Sequence, residues 1–598
     1  MSKYRAHSVT REDRADGTII LRSGYELTKP AAKTGDWLDH WAKETPKAVF
    51  LAERDGAGWR EVSYVQARDS VRRMASSLLA RGMNADTPIL IISGNGVDHG
   101  LLTLAAQYIG VPTVPLAEQY ALIPGAWPQL EHCAQLVKPA MVFADDGERF
   151  ATALAHDLFD GMERVVACNP QAGETELTAL LGDCDEAAVD MAAAEVGPDT
   201  VAKYLMTSGS TSHPKAVITT QRMMCANQAQ LADALPFLRD RAPRIVDWLP
   251  WNHVFGGSHN FNMMLANGGA LYIDAGKPIP AKIAETIENN RMKNGTLAFN
   301  VPVGFAMIRN AMKADPELRK SYFEDLDMLF YAGASLPQDV WDDLEQMARE
   351  VRGAVPLMNS SWGLTETGPA CLIQHEPTHM SGIIGVPMTG VEVKLIPDED
   401  MRCEIRVRGP NIMPGYLHDA EKTAEAFDEE GFFRTGDAVK FVDDNDLNKG
   451  MRFDGRISED FKLLTGTWVR AATLRLELLQ EYGTLVQDMV ICGADKSQVG
   501  LMIFPSAEAL ALAGDGAEQD GALMSDALCA ALAEKLALRA DHGSAARVNR
   551  VMVLAEPPSL GDGEITAKGN LNYRKVLARR ASLLDRLYSD DDPAVIRL

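Results

Sequence analysis

Thr207-Ser208-Gly209-Ser210-Thr211-Ser212-His213-Pro214-Lys215-Ala216 is the stretch from which the fold is read. The apolar run before it, Tyr204-Leu205-Met206, reads as the end of a strand. A strand running into a small, hydroxyl-rich turn tipped by a lysine suits a polyphosphate. Backbone N–H groups and Ser/Thr hydroxyls donate to its oxygens, and the ammonium adds a point charge. The turn is not a P-loop, because it holds one glycine and Pro214 precedes the lysine. Taken alone, it reads equally well as a Ser/Thr-rich surface loop. The rest of the chain decides between the two.

The chain has 598 residues, 46% hydrophobic and 24% charged, a globular composition too long for one core. Its formal net charge of -24 argues against sequence-independent nucleic-acid binding, which needs excess Lys and Arg to displace counterions. An anionic nucleotide is not excluded, since a local site can be basic inside an acidic protein. The 8 Cys show no C-x-x-C pair and no zinc spacing, so they read as reduced thiols of a cytoplasmic protein. Met1-Ser2-Lys3-Tyr4-Arg5 is followed by charge rather than an apolar core, so no secretory signal is expected. The most apolar segment, 101–116, is interrupted by Gln107, Gly110, Pro112 and Pro115 and is not expected to span a bilayer.

Residues 1–35 read as a polar lead-in that pairs with a domain edge, followed by an amphipathic helix with Trp37, Leu38 and Trp41 on one face. A hairpin is expected across Asp55-Gly56. From Tyr64 onward, helical spacing alternates with short apolar runs: 88–93, 112–116, 139–144 and 164–168. That alternation implies a parallel sheet with helices on both faces. A second set of α/β units is expected through 244–250, 296–302, 328–335 and 355–368, with strands ending in small, polar or aromatic residues. Ligands of open α/β sheets sit at those carboxyl ends. After Val391 the pattern alternates as in antiparallel strands, and past Arg456 it returns to mixed α+β. The expected fold is therefore α/β. A large N-terminal domain, 1–456, holds two parallel-type sheets and a β subdomain at about 388–456. A hinge at about 457–460 leads to a small mobile α+β lid, 459–598.

Thr207–Lys215, Trp362-Gly363-Leu364-Thr365-Glu366-Thr367, Arg434-Thr435-Gly436-Asp437 and Asp454-Gly455-Arg456, in that order, resemble the motifs of the adenylate-forming superfamily. That family includes acyl-CoA synthetases, non-ribosomal adenylation domains and luciferases, and the resemblance covers nearly the whole chain. Three further stretches resemble the feruloyl-CoA synthetase branch: 215–228, 459–469 and Glu564-Ile565-Thr566-Ala567-Lys568-Gly569.

The resemblance implies that Thr207, Ser208, Gly209, Ser210, Thr211 and Lys215 hold the β- and γ-phosphates of ATP. Ser212 and Ala216 depart from the family's usual glycines, and Ser212 costs the turn some backbone freedom. Thr365 and Glu366 match the Mg²⁺-proximal pair, although Glu366 also reads as a helix cap. Trp362, beside Gly363, matches the residue that stacks on adenine, although core packing is the usual fate of a Trp. Gly333 and Ala334 match small positions where backbone approaches adenine or the acyl group, and Asp437 and Arg456 match the ribose contacts. His253 matches a gate between ATP, the acid and the thiol tunnel, although a lone His is more often structural. Trp251, Phe255, Phe261, Val301, Pro302 and Gly333 are expected to line the acid pocket.

Lys568 is the expected catalytic lysine of the lid, neutralising charge as the carboxylate attacks the α-phosphate, with Lys575 as competitor. The implied reaction is ATP-dependent joining of a carboxylic acid, ferulate or another aromatic acid, to coenzyme A through an acyl-adenylate. The implied partners are ATP, Mg²⁺ and CoA, and a homodimer is expected. The alternatives are a ligase for a medium-chain acid and a non-catalytic nucleotide binder, which Ser212 and Ala216 would favour. An adenylation domain that loads a carrier protein is a third, against which stands the lack of a carrier module before Leu598.

Overall fold

The computed structural model describes residues 3–207, 214–398, 400–514, 517–559, 562–565 and 571–597. Ser208, Gly209, Ser210, Thr211, Ser212 and Lys568 lie outside the described residues.

The first α/β units build a seven-stranded sheet. In spatial order its strands are Lys215–Thr220, Val201–Thr207, Thr113–Pro115, Ile89–Ile91, Met141–Asp146, Glu163–Cys168 and Thr175–Glu176. All neighbours run parallel except the first two, which form a hairpin. Strands such as Ile89–Ile91 are buried on both faces, which is why they read as continuous apolar runs.

The second set behaves differently from expectation in one respect. Arg244–Asp247 does not join the large sheet; it pairs with Ala270–Ile273, which continues into the hairpin Val49–Asp55/Gly58–Ser63 as a four-stranded sheet. Only Leu297–Asn300, Met328–Tyr331 and Leu357–Gly363 run parallel side by side. They continue through Ala370–Gln374 and Ile383–Pro387 into the antiparallel strands Met451–Arg456, Phe433–Phe441, Cys403–Arg408 and Glu392–Pro397. The β subdomain is thus hydrogen-bonded onto the second sheet through Ile383–Pro387 and Met451–Arg456. The N-terminal lead-in supplies the far edge: Val9–Asp13 and Ile19–Ser23 form a hairpin whose second strand pairs with Glu392–Pro397, leaving Val9–Asp13 outermost.

Beyond residue 460, Val486–Cys492, Val499–Pro505, Val548–Val553 and Ile596–Arg597 form a separate four-stranded sheet. It is covered by helices including Ala471–Tyr482 and Asp526–Ala537. Its buried clusters draw only on residues past 460, so this part has cores of its own. Among the described residues no helix is long and apolar enough to cross a membrane.

Candidate functional site

The hydroxyl-rich turn closes a β-hairpin. Val201–Thr207 and Lys215–Thr220 pair in register up to Thr207 opposite Lys215, so both flank whatever the turn holds. Thr207 Oγ1 is buried and has no hydrogen-bond partner among the described residues, which suits a hydroxyl waiting for a ligand oxygen. Ala216 lies in extended strand, where alanine is as good as glycine. The return strand was not legible in the sequence, because Lys215-Ala216-Val217 follows a proline inside a turn motif.

A third segment then joins. Leu417 N donates to Ala216 O at 2.9 Å and Ile218 N to Gly415 O at 3.2 Å. This lays Tyr416 against Lys215, whose Nζ sits 3.8 Å from the ring centroid. Tyr416 Oη donates to Glu366 Oε1 at 3.0 Å. Burial pushes the Tyr416 phenol up and the nearby Glu366 pushes it further, so it stays a donor. Burial lowers the Lys215 ammonium, while Glu366 opposes that shift. Sequence reading missed Tyr416 altogether; nothing marks one Tyr among loops until the chain folds.

Glu366 sits in a single 3-10 turn, Thr365–Thr367, at the end of Leu357–Gly363. It does not cap a following helix. Gly363 is obligatory there, because a Cβ would run into the carbonyl of Pro369. Trp362, one residue earlier, is 7% exposed and packs in the large core, so its ring is nearly closed off from solvent. Its Nε1 donates to Asp437 Oδ2 at 3.0 Å. Arg456, opposite Asp437 across two paired strands, brings Nε to 3.4 Å from Oδ1. Burial raises the Asp437 carboxyl to about 6; Arg456 and the indole oppose this, and Glu366 adds to it. That last influence ties the two halves together. Lys215, Tyr416 and Glu366 share one region with Trp362, Asp437 and Arg456.

The Glu366 carboxylate, beside Lys215 and Tyr416, has the hard-oxygen chemistry that suits magnesium. Such an ion is commonly held by one or two carboxylates plus substrate oxygens and water. Among the described residues no three His, Cys, Asp or Glu converge as an all-protein cage.

The expected acid-pocket residues separate into two groups. Phe255 opens a π-helical turn, Phe255–Asn260, and packs against Phe299 and Phe330 with centroids 6.2 and 5.8 Å away. Phe299 and Phe330 are register partners on neighbouring strands, so three rings make an aromatic layer over the second sheet. His259 joins them at 5.6 and 5.0 Å. Trp251 and Phe261 face elsewhere: they pack on each other at 4.9 Å and on His99 and Phe50. Both are buried, as Phe299 and Phe330 are. His253 is half-buried in the turn that enters the π-helix, where its N–H donates to Pro250 O at 3.1 Å. Val301 and Pro302 lead the helix Pro302–Ala314, and Gly333, with φ +87°, lies against Val301. Ala334 follows on the exposed loop after Met328–Tyr331.

A family described as AMP-binding enzyme matches residues 38–417, and the AMP-binding enzyme C-terminal domain matches 460–592. A methyl-dioxo-octahydro-indenyl-propanoyl:CoA ligase of Rhodococcus jostii (strain RHA1) is 25% identical over 448 residues, 72% of this chain and 82% of its own length. A 4-coumarate–CoA ligase of Oryza sativa subsp. japonica is 26% identical over 432 residues, covering 68% of this chain and 72% of its own. Among solved structures, the anthranilate CoA ligase AuaEII in complex with anthranoyl-AMP superposes with a TM-score of 0.72. It is 17% identical and covers 94% of this chain and 99% of that one.

Proposed function

The chain belongs to the AMP-binding enzyme family, and from that premise we propose how it works as an AMP-forming acid–thiol ligase and which acid it takes. An acid carboxylate attacks the α-phosphorus of ATP, the bond to the bridging oxygen breaks, and pyrophosphate leaves. The thiol sulfur of coenzyme A then attacks the acyl carbon of the adenylate, losing its proton to water, and AMP departs with its phosphate oxygen.

Thr207 and Lys215, with the turn between them, hold the β- and γ-phosphates. Asp437 accepts from the ribose hydroxyls and Arg456 keeps it ionised. Trp362 serves by holding Asp437 rather than by offering an open ring. Glu366, oriented by Tyr416, would hold magnesium, which when bound draws charge off the phosphate oxygens. Lys568, from the lid, neutralises charge at the α-phosphate, and His253 gates the acid. None of these groups forms a covalent bond; positioning and fixed charge carry the chemistry.

The acid we propose is ferulate or another hydroxycinnamate. The observation that supports it is the aromatic layer of Phe255, Phe299 and Phe330 beside the Val301–Pro302 turn. Phe255, the half-buried ring of the layer, is the one an aromatic acid would meet, edge-to-face or offset. The Oryza sativa relative, a 4-coumarate–CoA ligase, points the same way. The Rhodococcus jostii relative favours a bulkier saturated or medium-chain acid as the second reading. The eight cysteines are free thiols, which supports a reducing compartment, the cytoplasm.

The deciding experiment measures AMP production from cinnamic, benzoic and aliphatic acids, with and without CoA. Hydroxycinnamates should exceed the aliphatic acids by about ten-fold or more in kcat/KM. A preference of that size for an aliphatic acid overturns the aromatic reading. No AMP with any acid overturns the activity.

A further inference from the structure

The π-helical turn Phe255–Asn260 presents three successive carbonyls, and each is met by a side chain from another element. Lys203 Nζ donates to Gly257 O at 2.7 Å. Gln228 Nε2 donates to Ser258 O at 3.3 Å and to His259 O at 3.1 Å. A π-turn breaks the regular helical ladder, and its buried carbonyls need outside donors. Gly257 lets the turn fold tightly, since a Cβ there would run into the backbone of Trp251.

The two donors come from elements that flank the hydroxyl-rich turn. Lys203 is on Val201–Thr207, which runs into it, and alternation along that strand puts Lys203 on the same face as Thr207. Gln228 is on the helix Gln221–Ala234, which begins where the return strand Lys215–Thr220 ends. Both are unusual occupants of a core. Lys203 is 3% exposed, and no carboxylate pairs with it among the described residues. Burial lowers its ammonium to about 7. Gln228 is equally buried, and its Oε1 has no partner among the described residues. Apolar side chains would sit there at lower cost, so stability alone does not account for either residue.

We propose that Lys203 and Gln228 are positioning residues that transmit occupancy of the nucleotide turn to the π-turn carrying Phe255. Nucleotide binding thereby shapes the acid site before the acid arrives. Displacing the strand or the helix pulls directly on the carbonyls that set the turn, and these lie two to four residues past Phe255 and four to six past His253. Coupling of this kind needs differential contacts between two sites, and these hydrogen bonds supply them. The inference rests on the ATP reading above.

Hydrogen–deuterium exchange on the full chain, with α,β-methylene-ATP as the probe and no acid present, tests it. In the wild type the nucleotide should slow exchange at 214–220 and also at 255–262, the latter by about five-fold or more. In K203M and in Q228L the slowing at 214–220 should remain while that at 255–262 disappears. A merely structural role would leave the nucleotide-dependent change intact. If one variant does not fold, the other is decisive. Slowing at 255–262 that survives undiminished in a folded variant overturns the coupling, as does its absence from a wild type protected at 214–220. No slowing at either segment overturns both the coupling and the ATP reading beneath it.

Discussion

Trp362 and Asp437 touch through a 3.0 Å hydrogen bond although three strands lie between theirs in the sheet order. Four strand spacings of about 4.8 Å would hold them roughly 19 Å apart in a flat sheet. The sheet therefore curls until the indole reaches the carboxylate. This curl brings the end of the second α/β unit against the antiparallel strands and sets Trp362 and Glu366 near Asp437 and Arg456.

A first prediction concerns that carboxylate. The folded value of Asp437, about 6, is above the ordinary 3.8. The folded state therefore binds more protons between these values. The stability this confers is complete below about 3.8 and is lost as pH rises through about 6. D437N should raise the melting temperature of the ligand-free protein above that range, with the gain fading on acidification. ATP binding to the wild type should strengthen as pH rises through about 6 and be weak and flat in D437N. W362F should weaken ATP by about ten-fold, since it leaves a buried carboxylate oxygen unpaired. Calorimetric titration across pH checks both, and a pH-independent wild type would sink the ribose assignment.

Tyr416 offers a second test. Y416F keeps the ring under Lys215 but removes the donor to Glu366. We expect a loss of about ten-fold or less in kcat/KM for ATP, about 1 kcal/mol, with a raised magnesium requirement. K215A should lose more, about a hundred-fold. Steady-state kinetics over a magnesium series separates them. Equal losses without any change in magnesium dependence would detach Glu366 from the metal.

The lid lysine can be settled by half-reactions. K568A should lose pyrophosphate release from acid and ATP by about a hundred-fold or more, yet still convert supplied acyl-adenylate to acyl-CoA. K575A should lose neither half-reaction; Lys575 sits in the first turn of the helix Tyr573–Arg579, and its backbone N–H bond to Asn572 survives the substitution. The reverse pattern would transfer the role to Lys575.

Lys203 makes a stability prediction separate from its proposed coupling. Its folded value, about 7, is below the ordinary 10.5. Between these the unfolded chain binds more protons, so the wild type gains stability as pH rises across that window, and the full cost of burial is present below it. K203M should therefore melt higher than the wild type at or below about pH 7, with the advantage shrinking toward pH 10. A variant uniformly less stable at every pH would show that the hydrogen bond to Gly257 outweighs the buried charge.

Much of this was legible before folding. The alternation of apolar runs and helical spacing marked the parallel sheets, because strands buried on both faces must be apolar. The motifs with Lys215, Glu366, Asp437 and Arg456 stood out because phosphate, metal and diol each demand a particular residue type, and the fold brings these four residues into one region. What stayed hidden depends on partners far along the chain. Tyr416 meets Lys215 only because a loop adds itself to a hairpin. Trp362 turns out to be a hydrogen-bond donor only because the sheet curls. Trp251 and Phe261 looked like neighbours of Phe255, yet they pack in another layer; Phe261 follows the π-turn, and local periodicity carries no signal of its extra residue per turn.

The amino-terminal hairpin also bears on how this protein can be handled. Ile19–Ser23 covers Glu392–Pro397, so a fragment trimmed to residue 38, where the family match begins, would bare that more apolar strand in place of the exposed, charged edge strand Val9–Asp13. Such an open margin is a template for strand addition from another molecule. The shortened chain should scatter light increasingly with concentration, which makes those first residues a guard against self-association that has nothing to do with turnover.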